Sequence, residues 1–262
     1  MYLNSFFLAN KNRFNLTDFI HEVFMDKNTN IIEVNPLRII LILSLVVVIL
    51  IFASILGNIL NYVFGHNFVY GFVPKFNLDE EGNVPTFITS LLLIIPALLL
   101  WIIAKLKADN HAVYVHHWYI LAFIFFILSI DESAGIHELM IIPLRNMLQT
   151  SGIFYFAWVL PAIILILIFI LTYIKFLLAL PVKTRYTILI AAIIYIGGAL
   201  GFELIGGYQA DINGQENMLY SVLTTIEESL EMIGLLLFIY ALLTYIRNYS
   251  PNVLFHIKVS SK

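Results

Sequence analysis

Residues 218–246 read MLYSVLTTIEESLEMIGLLLFIYALLTYI, an apolar run that is long enough to cross a bilayer as one helix. Three carboxylates, Glu227, Glu228 and Glu231, lie within this run, and it contains no Lys or Arg to neutralise them. A charged side chain at membrane depth costs about 2.5 kcal/mol or more. These acids therefore indicate a functional site inside a membrane helix.

The composition of the whole chain is typical of an integral membrane protein. Of its 262 residues, 61% are hydrophobic and 12% are charged, whereas soluble domains have about 25% charged residues. We therefore predict an all-α fold, a polytopic membrane bundle of six transmembrane helices. The six segments that are long and apolar enough to span are 38–64, 86–106, 112–131, 153–180, 184–207 and 218–246.

The distribution of basic residues predicts the orientation of the bundle. Twelve of the fourteen Lys and Arg residues fall on the side of the two termini, and only Lys75 and Arg145 fall on the other side. The positive-inside rule therefore predicts that both termini are cytoplasmic. The predicted parts are an N-terminal segment 1–37 with a surface helix at 15–26, a membrane domain 38–246 and a tail 247–262.

The composition also predicts where the protein is located and what it contacts. We expect a multi-pass protein of the bacterial inner membrane that has lipids as partners, does not bind nucleic acid and could form oligomers. The chain has no Cys, which excludes disulfides, thiolate metal ligands and Cys nucleophiles.

Polar residues of three spans converge at the predicted outer end. The motif DESAGIHE, residues 131–138, ends span three, and Glu203 lies at a similar depth in span five. Glu227 and Glu231 lie roughly 13 to 20 Å below the outer end of span six, at 1.5 Å per residue. The predicted metal ligands are Glu132, His137, Glu203, Glu227 and Glu231, and the predicted catalytic residues are Glu228 and Ser133.

Helical spacing supports this grouping. Glu227 and Glu231 are four residues apart, and Glu228 lies about 100° round the helix from their stripe. Ser133 and His137 are also four apart, so on a continuous helix they share a face. A GxxxG step, Gly197 to Gly201, predicts close helix contact that brings Glu203 towards a neighbour.

Simpler roles would also account for several of these residues. Asp131 suits the N-cap of a short outer helix that runs to Pro143. Solvated positions at the membrane interface would explain Glu132, Glu138, His137 and Glu203. Interfacial anchoring accounts for His116 and His117 at the other end of span three.

Four motifs carry a resemblance to a known group of proteins: DESAGIHE, FNLDEEGNVPTFITS, GFELIGG and EESLEMIG. Over roughly residues 65–246 they resemble a family of uncharacterised bacterial six-span membrane proteins, which implies the span layout but supplies no activity. A fainter similarity is to membrane zinc hydrolases of the alkaline ceramidase and adiponectin-receptor type, which carry an acid and then a Ser and a His four apart. The later paired His ligands of those enzymes have no counterpart here.

An oxygen-rich ligand set with one His favours Mn, Fe, Ca or Mg over a structural Zn site.

The inner halves of spans five and six are nearly all apolar, which disfavours a path through the membrane. We therefore expect an outward-facing acidic site, with a divalent metal, of an enzyme that acts on a lipid or another apolar substrate. The alternatives are a proton- or divalent-cation-coupled transporter or sensor, and a non-catalytic subunit of a membrane complex.

Overall fold

The computed structural model describes residues 35–249, and the predicted surface helix at 15–26 lies outside them. The chain divides into two units between Ile39 and Ile40, and the second unit holds the helical bundle. The described residues form helices and connecting loops, without strands. The α-helices are α1 Pro36–Tyr62, α2 Phe72–Phe76, α3 Val84–Asp109, α4 Val115–Ala134, α5 Ile136–Leu148, α6 Val159–Ala179, α7 Val182–Ile196, α8 Glu203–Asn213 and α9 Met218–Tyr249.

Six helical segments are long and apolar enough to cross a membrane, which confirms the predicted all-α, multi-pass fold. A π-helical stretch, Gly197–Phe202, joins α7 to α8, so that these two helices act as one span. The six spans are Pro36–Tyr62, Val84–Asp109, Val115–Ala134, Val159–Ala179, Val182–Asn213 and Met218–Tyr249. The cytoplasmic location of the termini and the domain boundaries at 37 and 246 stay predictions.

Helix α9 is the centre of the bundle. It packs against α3, α7, α8 and the π-helical stretch, while α3 also packs against α4. Fifteen of its 32 residues are buried, although the helix is apolar enough to face lipid. The helix that carries the three acids is therefore the one that neighbours screen best from lipid.

The end of the bundle without the acids holds an apolar and aromatic core. There, Trp118 of α4 packs edge-on against Phe176 of α6 and beside Tyr245 of α9. His117 stacks on Phe176 in the same group, which agrees with a packing role for this histidine. This core closes the bundle beneath the acids.

Short polar contacts fix the loop that precedes α3. The Asn83 side chain caps α3 by accepting a bond from the Thr86 amide, and it donates to the Asn77 carbonyl oxygen at 2.5 Å. The Leu78 amide donates to Ser54 Oγ on α1 at 3.2 Å. These bonds hold Asp79 to Glu81 at the end of the bundle where α4 ends and α9 begins.

Candidate functional site

Three side chains from two segments meet at the acidic end of the bundle. Glu81 comes from the loop before α3, and His137 and Glu138 come from the first turn of α5. One potential ligand atom of each lies within 4.8 Å of the others, a spacing that could hold a metal ion. We call these three residues the rim triad. It shares only His137 with the ligand set predicted from the sequence.

Gly135 brings the rim triad together. It has φ 57°, in the left-handed region, and it ends α4 so that α5 begins in a new direction. A Cβ at this position would lie 3.5 Å from Glu81 Cγ. The backbone of Gly135 therefore allows both the turn and the close approach of Glu81.

The same turn overturns one expectation about spacing. Ser133 ends up near the end of α4 and His137 in the first turn of α5, so their four-residue separation does not place them on one helical face. Ser133 is exposed, whereas His137 is half-buried. The pattern that resembled the membrane hydrolases is thus interrupted by a left-handed glycine.

Asp131 holds His137 through two bonds. Its Oδ1 accepts from the His137 amide at 3.0 Å, and its Oδ2 lies 2.9 Å from the ring nitrogen Nδ1. Asp131 belongs to α4, so it is not the N-cap residue of the next helix, yet it satisfies an amide in the first turn of α5. Within residues 35–249, this is the one ion pair.

The carboxylates of the rim are held in a setting that favours their neutral forms. Burial, with help from Glu138, raises the pKa of Asp79 to about 6 and the pKa of Glu81 to about 7. Burial also raises the pKa of Glu138, and the neighbouring His137 opposes that rise. A cation bound here would lower these pKa values, because it favours the charged form of the carboxylates.

For His137, in contrast, the surroundings favour the charged form. Burial lowers its pKa, but the bond to Asp131 and the charges of Asp131, Glu81 and Glu203 outweigh this effect and raise the pKa to about 9. The imidazolium thus supplies a positive charge within the rim itself. A metal would have to displace its proton.

Trp158 connects the rim to the deeper acids. Its ring lies 5.0 Å from the His137 ring between centroids, and its Nε1 donates to Glu203 Oε1 at 2.6 Å. Glu203 in turn shares a hydrogen bond with Glu227. Two carboxyl groups can share such a bond only when one of them carries a proton.

The deepest part of the site lies on α9. Glu227 is buried, with 8% of its surface exposed, and the Tyr195 hydroxyl donates a hydrogen bond to Glu231. Glu228 lies within electrostatic range of Glu231, Glu132 and Glu81. The predicted grouping of these acids is therefore present as one connected cluster.

Close glycine contacts set the distance between the two helices of this deep part. A Cβ on Gly198 would lie 2.8 Å from the Glu227 carbonyl oxygen, and a Cβ on Gly234 would lie 2.8 Å from the Tyr195 nitrogen. Gly197 and Gly201, which the GxxxG step singled out, have nothing within 4 Å of a built Cβ. The close approach is therefore made by Gly198, within the π-helical stretch, and by Gly234 rather than by the Gly197–Gly201 pair.

The structure thus groups six of the seven predicted site residues. Glu132, His137, Glu203, Glu227, Glu228 and Glu231 all lie in one network of hydrogen bonds and charges. The remaining one, Ser133, is exposed. Sequence reasoning did not assign roles to Glu81, Trp158 and Tyr195; the acidic loop motif was a signal for Glu81, but nothing marked the two aromatic residues.

Comparison with known proteins gives a family but no activity. A family model described as a domain of unknown function, DUF8692, matches residues 39–246. No curated protein and no solved structure matches the chain.

Proposed function

Because the chain belongs to the DUF8692 family, whose description assigns no function, we propose one from the site: a metal-dependent membrane enzyme that acts on a lipid or another apolar substrate. The observation that carries this proposal is the rim triad, whose three ligand atoms lie within 4.8 Å of one another. In this proposal Glu81, His137 and Glu138 hold one divalent cation.

The state of Glu81 supports a cation at this position. Its Oε2 atom is buried and has no hydrogen-bond partner among the described residues. A buried carboxylate oxygen without a partner is costly, because it has lost water and gained nothing in exchange. A cation between Glu81 and His137 would supply the missing interaction.

The contacts of His137 also support a role as a metal ligand. Its Nδ1 is bonded to Asp131 at 2.9 Å, which leaves Nε2 as the nitrogen for a metal. A carboxylate behind a metal-binding His is the usual way in which proteins fix the ring and raise its basicity. Asp131 is therefore proposed as a positioning residue for His137.

Two carboxylates and one imidazole form a mostly hard donor set. Such a set suits Mn²⁺ or Fe²⁺ better than a structural zinc site, which uses four ligands that are mainly Cys and His. Three protein ligands also leave coordination positions for water and substrate. When bound, a divalent cation of this kind lowers the pKa of a coordinated water and polarises a substrate oxygen.

The residues beneath the rim are proposed to handle protons. Glu228 lies within electrostatic range of Glu231, Glu132 and Glu81, which supports a role for it in exchanging protons with these acids. Glu203 and Glu227 share a hydrogen bond that already contains one proton. Ser133 stays a prediction without a contact that supports a catalytic role.

The surroundings of the rim favour an apolar substrate. Helix α5, which supplies two of the three ligands, has no buried residue within it. Its exposed side chains are largely apolar, namely Ile136, Leu139, Met140, Ile142, Met147 and Leu148. A lipid that lies against this helix would have its polar group beside His137 and Glu138.

A route through the membrane gains less support. Inward of Glu231, the fully buried side chains of α9 are apolar, including Met232, Leu235, Ile239 and Leu242. An ion or proton that passed the acids would meet this apolar core. A cation-coupled transporter is therefore the second candidate.

Metal binding by the purified protein tests the proposal. Mn²⁺ affinity, followed by electron paramagnetic resonance of the free ion, should fall about tenfold or more in Glu81→Gln, His137→Gln and Glu138→Gln. Glu80→Gln is the matched control, because Glu80 is exposed and adjacent in sequence. Equal Mn²⁺ affinity in all four variants, or no Mn²⁺ binding by the wild type, would contradict the proposed metal site.

Activity separates the enzyme from the transporter. Extracted membrane lipids incubated with the metal-loaded protein should show products by mass spectrometry that chelation abolishes. Uptake of Mn²⁺ into proteoliposomes that depends on Glu231, without any lipid product, would instead support the transporter.

A further inference from the structure

The segment between α1 and α2 is aromatic and exposed. Residues 62–72 read YVFGHNFVYGF, with an aromatic or His residue at every second position; we call this segment the aromatic loop. Phe64 and Phe68 are each 63% exposed, and Tyr70 is 103% exposed. In a water-facing loop such a concentration of bare aromatic surface would be unfavourable.

The loop continues the lipid-facing surface of a spanning helix. The last exposed apolar residues of α1 include Ile55, Leu56 and Ile59. The chain then folds back on the end of α1, where the His66 amide donates to the Leu60 carbonyl oxygen at 2.8 Å. The loop is therefore tied to the level at which α1 leaves the membrane.

The charge pattern agrees with this level. No Asp, Glu, Lys or Arg occurs between Arg38 and Lys75, so the loop is as free of charge as the span itself. At the base of the loop, Tyr62 lies within electrostatic range of Glu216, in the short turn that connects α8 to α9. The loop thus emerges at the acidic end, beside the boundary between lipid and water.

The tip of the loop has an unusual backbone. Val69 has φ 37° and Tyr70 has φ 55°, both in the left-handed region, where a β-branched residue such as Val69 is disfavoured. Within the described residues, no packing partner is seen for the Tyr70 side chain, which is fully exposed. The Tyr70 side chain is therefore free to contact surroundings outside the chain.

We propose that the aromatic loop inserts into the headgroup region of the bilayer at the acidic end, with Phe64, Phe68 and Tyr70 in contact with lipid. Tyr favours this zone because its ring is apolar and its hydroxyl reaches water, and lipid would cover the apolar rings of the two Phe residues. The inference does not depend on the metal site. It assigns an interaction surface whose partner is the lipid itself.

Spin labels can test this directly, because the chain contains no Cys. Single substitutions Phe64→Cys, Phe68→Cys and Tyr70→Cys would each carry a nitroxide in lipid vesicles. Glu216→Cys is the matched control, since Glu216 is exposed at the same end of the bundle. These side chains are exposed, so their replacement removes little packing.

Collision with two relaxing agents then reports the surroundings of each label. Labels at 64, 68 and 70 should collide mainly with oxygen, which concentrates in lipid, and the label at 216 mainly with a water-soluble nickel complex. Loop labels as accessible to nickel as the control would overturn the proposal, because the loop would then stand in water. Protection from both agents would also overturn it, in favour of a second copy or another protein on the loop.

Discussion

Trp158 donates its indole N–H to Glu203 at 2.6 Å while its ring lies 5.0 Å from that of His137. One side chain thus contacts both the rim and the buried acids of the neighbouring span. This contact makes the orientation of Glu203 depend on a residue at the start of α6, and it allows the two layers of the site to be probed separately.

The first prediction concerns the Trp158 donor. Trp158→Phe keeps a ring beside His137 but removes the bond to Glu203, and it should lower the free energy of unfolding by about 1 to 3 kcal/mol. Reversible unfolding in mixed detergent micelles would measure it. Trp101→Phe is the control, since Trp101 is about half exposed on α3, and its cost should be about 0.5 kcal/mol or less.

The second prediction concerns the glycine that touches α9. Gly198→Ala places a methyl group 2.8 Å from the Glu227 carbonyl oxygen, so it should destabilise the fold by about 1 to 3 kcal/mol. Gly201→Ala meets nothing within 4 Å and should be neutral or stabilising, because Ala favours a helix over Gly. Thermal unfolding of the two variants tests this prediction, and equal unfolding midpoints would contradict the observed packing.

The third prediction concerns Asp131 and His137. A double-mutant cycle with Asp131→Ala and His137→Ala, measured with a chelator present, should give a coupling free energy of about 1 kcal/mol. Asp131→Ala alone should cost more than this coupling, because it also removes the bond to the His137 amide at 3.0 Å. Zero coupling would mean that the two side chains do not form the observed pair.

The fourth prediction separates the rim from the deep acids. Glu81→Gln should weaken Mn²⁺ binding by about tenfold or more, because it removes a proposed ligand. Glu227→Gln should change the affinity far less, since Glu227 lies outside the rim triad. If Glu227→Gln has the larger effect in calorimetric titrations, then the cation belongs to the ligand set predicted from the sequence instead.

The fifth prediction concerns the turn at Gly135. Gly135→Ala puts a side chain at φ 57° and within 3.5 Å of Glu81 Cγ, so it should destabilise the protein by about 1 kcal/mol or more. It should also weaken Mn²⁺ binding, because α5 would be displaced from Glu81. Gly82→Ala is the comparison: Gly82 also has a positive φ, of 69°, but nothing lies near its built Cβ, so it should share the backbone cost and keep its metal affinity.

The spans were predictable because helix length and hydropathy are properties of contiguous sequence. The clustering of Glu227 and Glu231 was predictable for a related reason, since both lie on one uninterrupted helix. The rim triad was not, because it depends on the direction that the chain takes after Gly135 and on the shape of the loop that carries Glu81. The partner of Glu203 was likewise hidden, since no local pattern places Trp158 beside it.

The π-helical stretch Gly197–Phe202 has a consequence for how sequences in this family compare. It holds an extra residue within the span Val182–Asn213. If the same residues formed an α-helix, everything beyond them would turn by about 100°, the angle between successive residues of an α-helix, and Glu203 would leave Trp158. The loss of one residue would compensate, because an α-helix that is one residue shorter leaves the residues beyond it facing nearly the same way. In an alignment, members with a one-residue gap within GGALGF should therefore still keep a Glu at the position of Glu203.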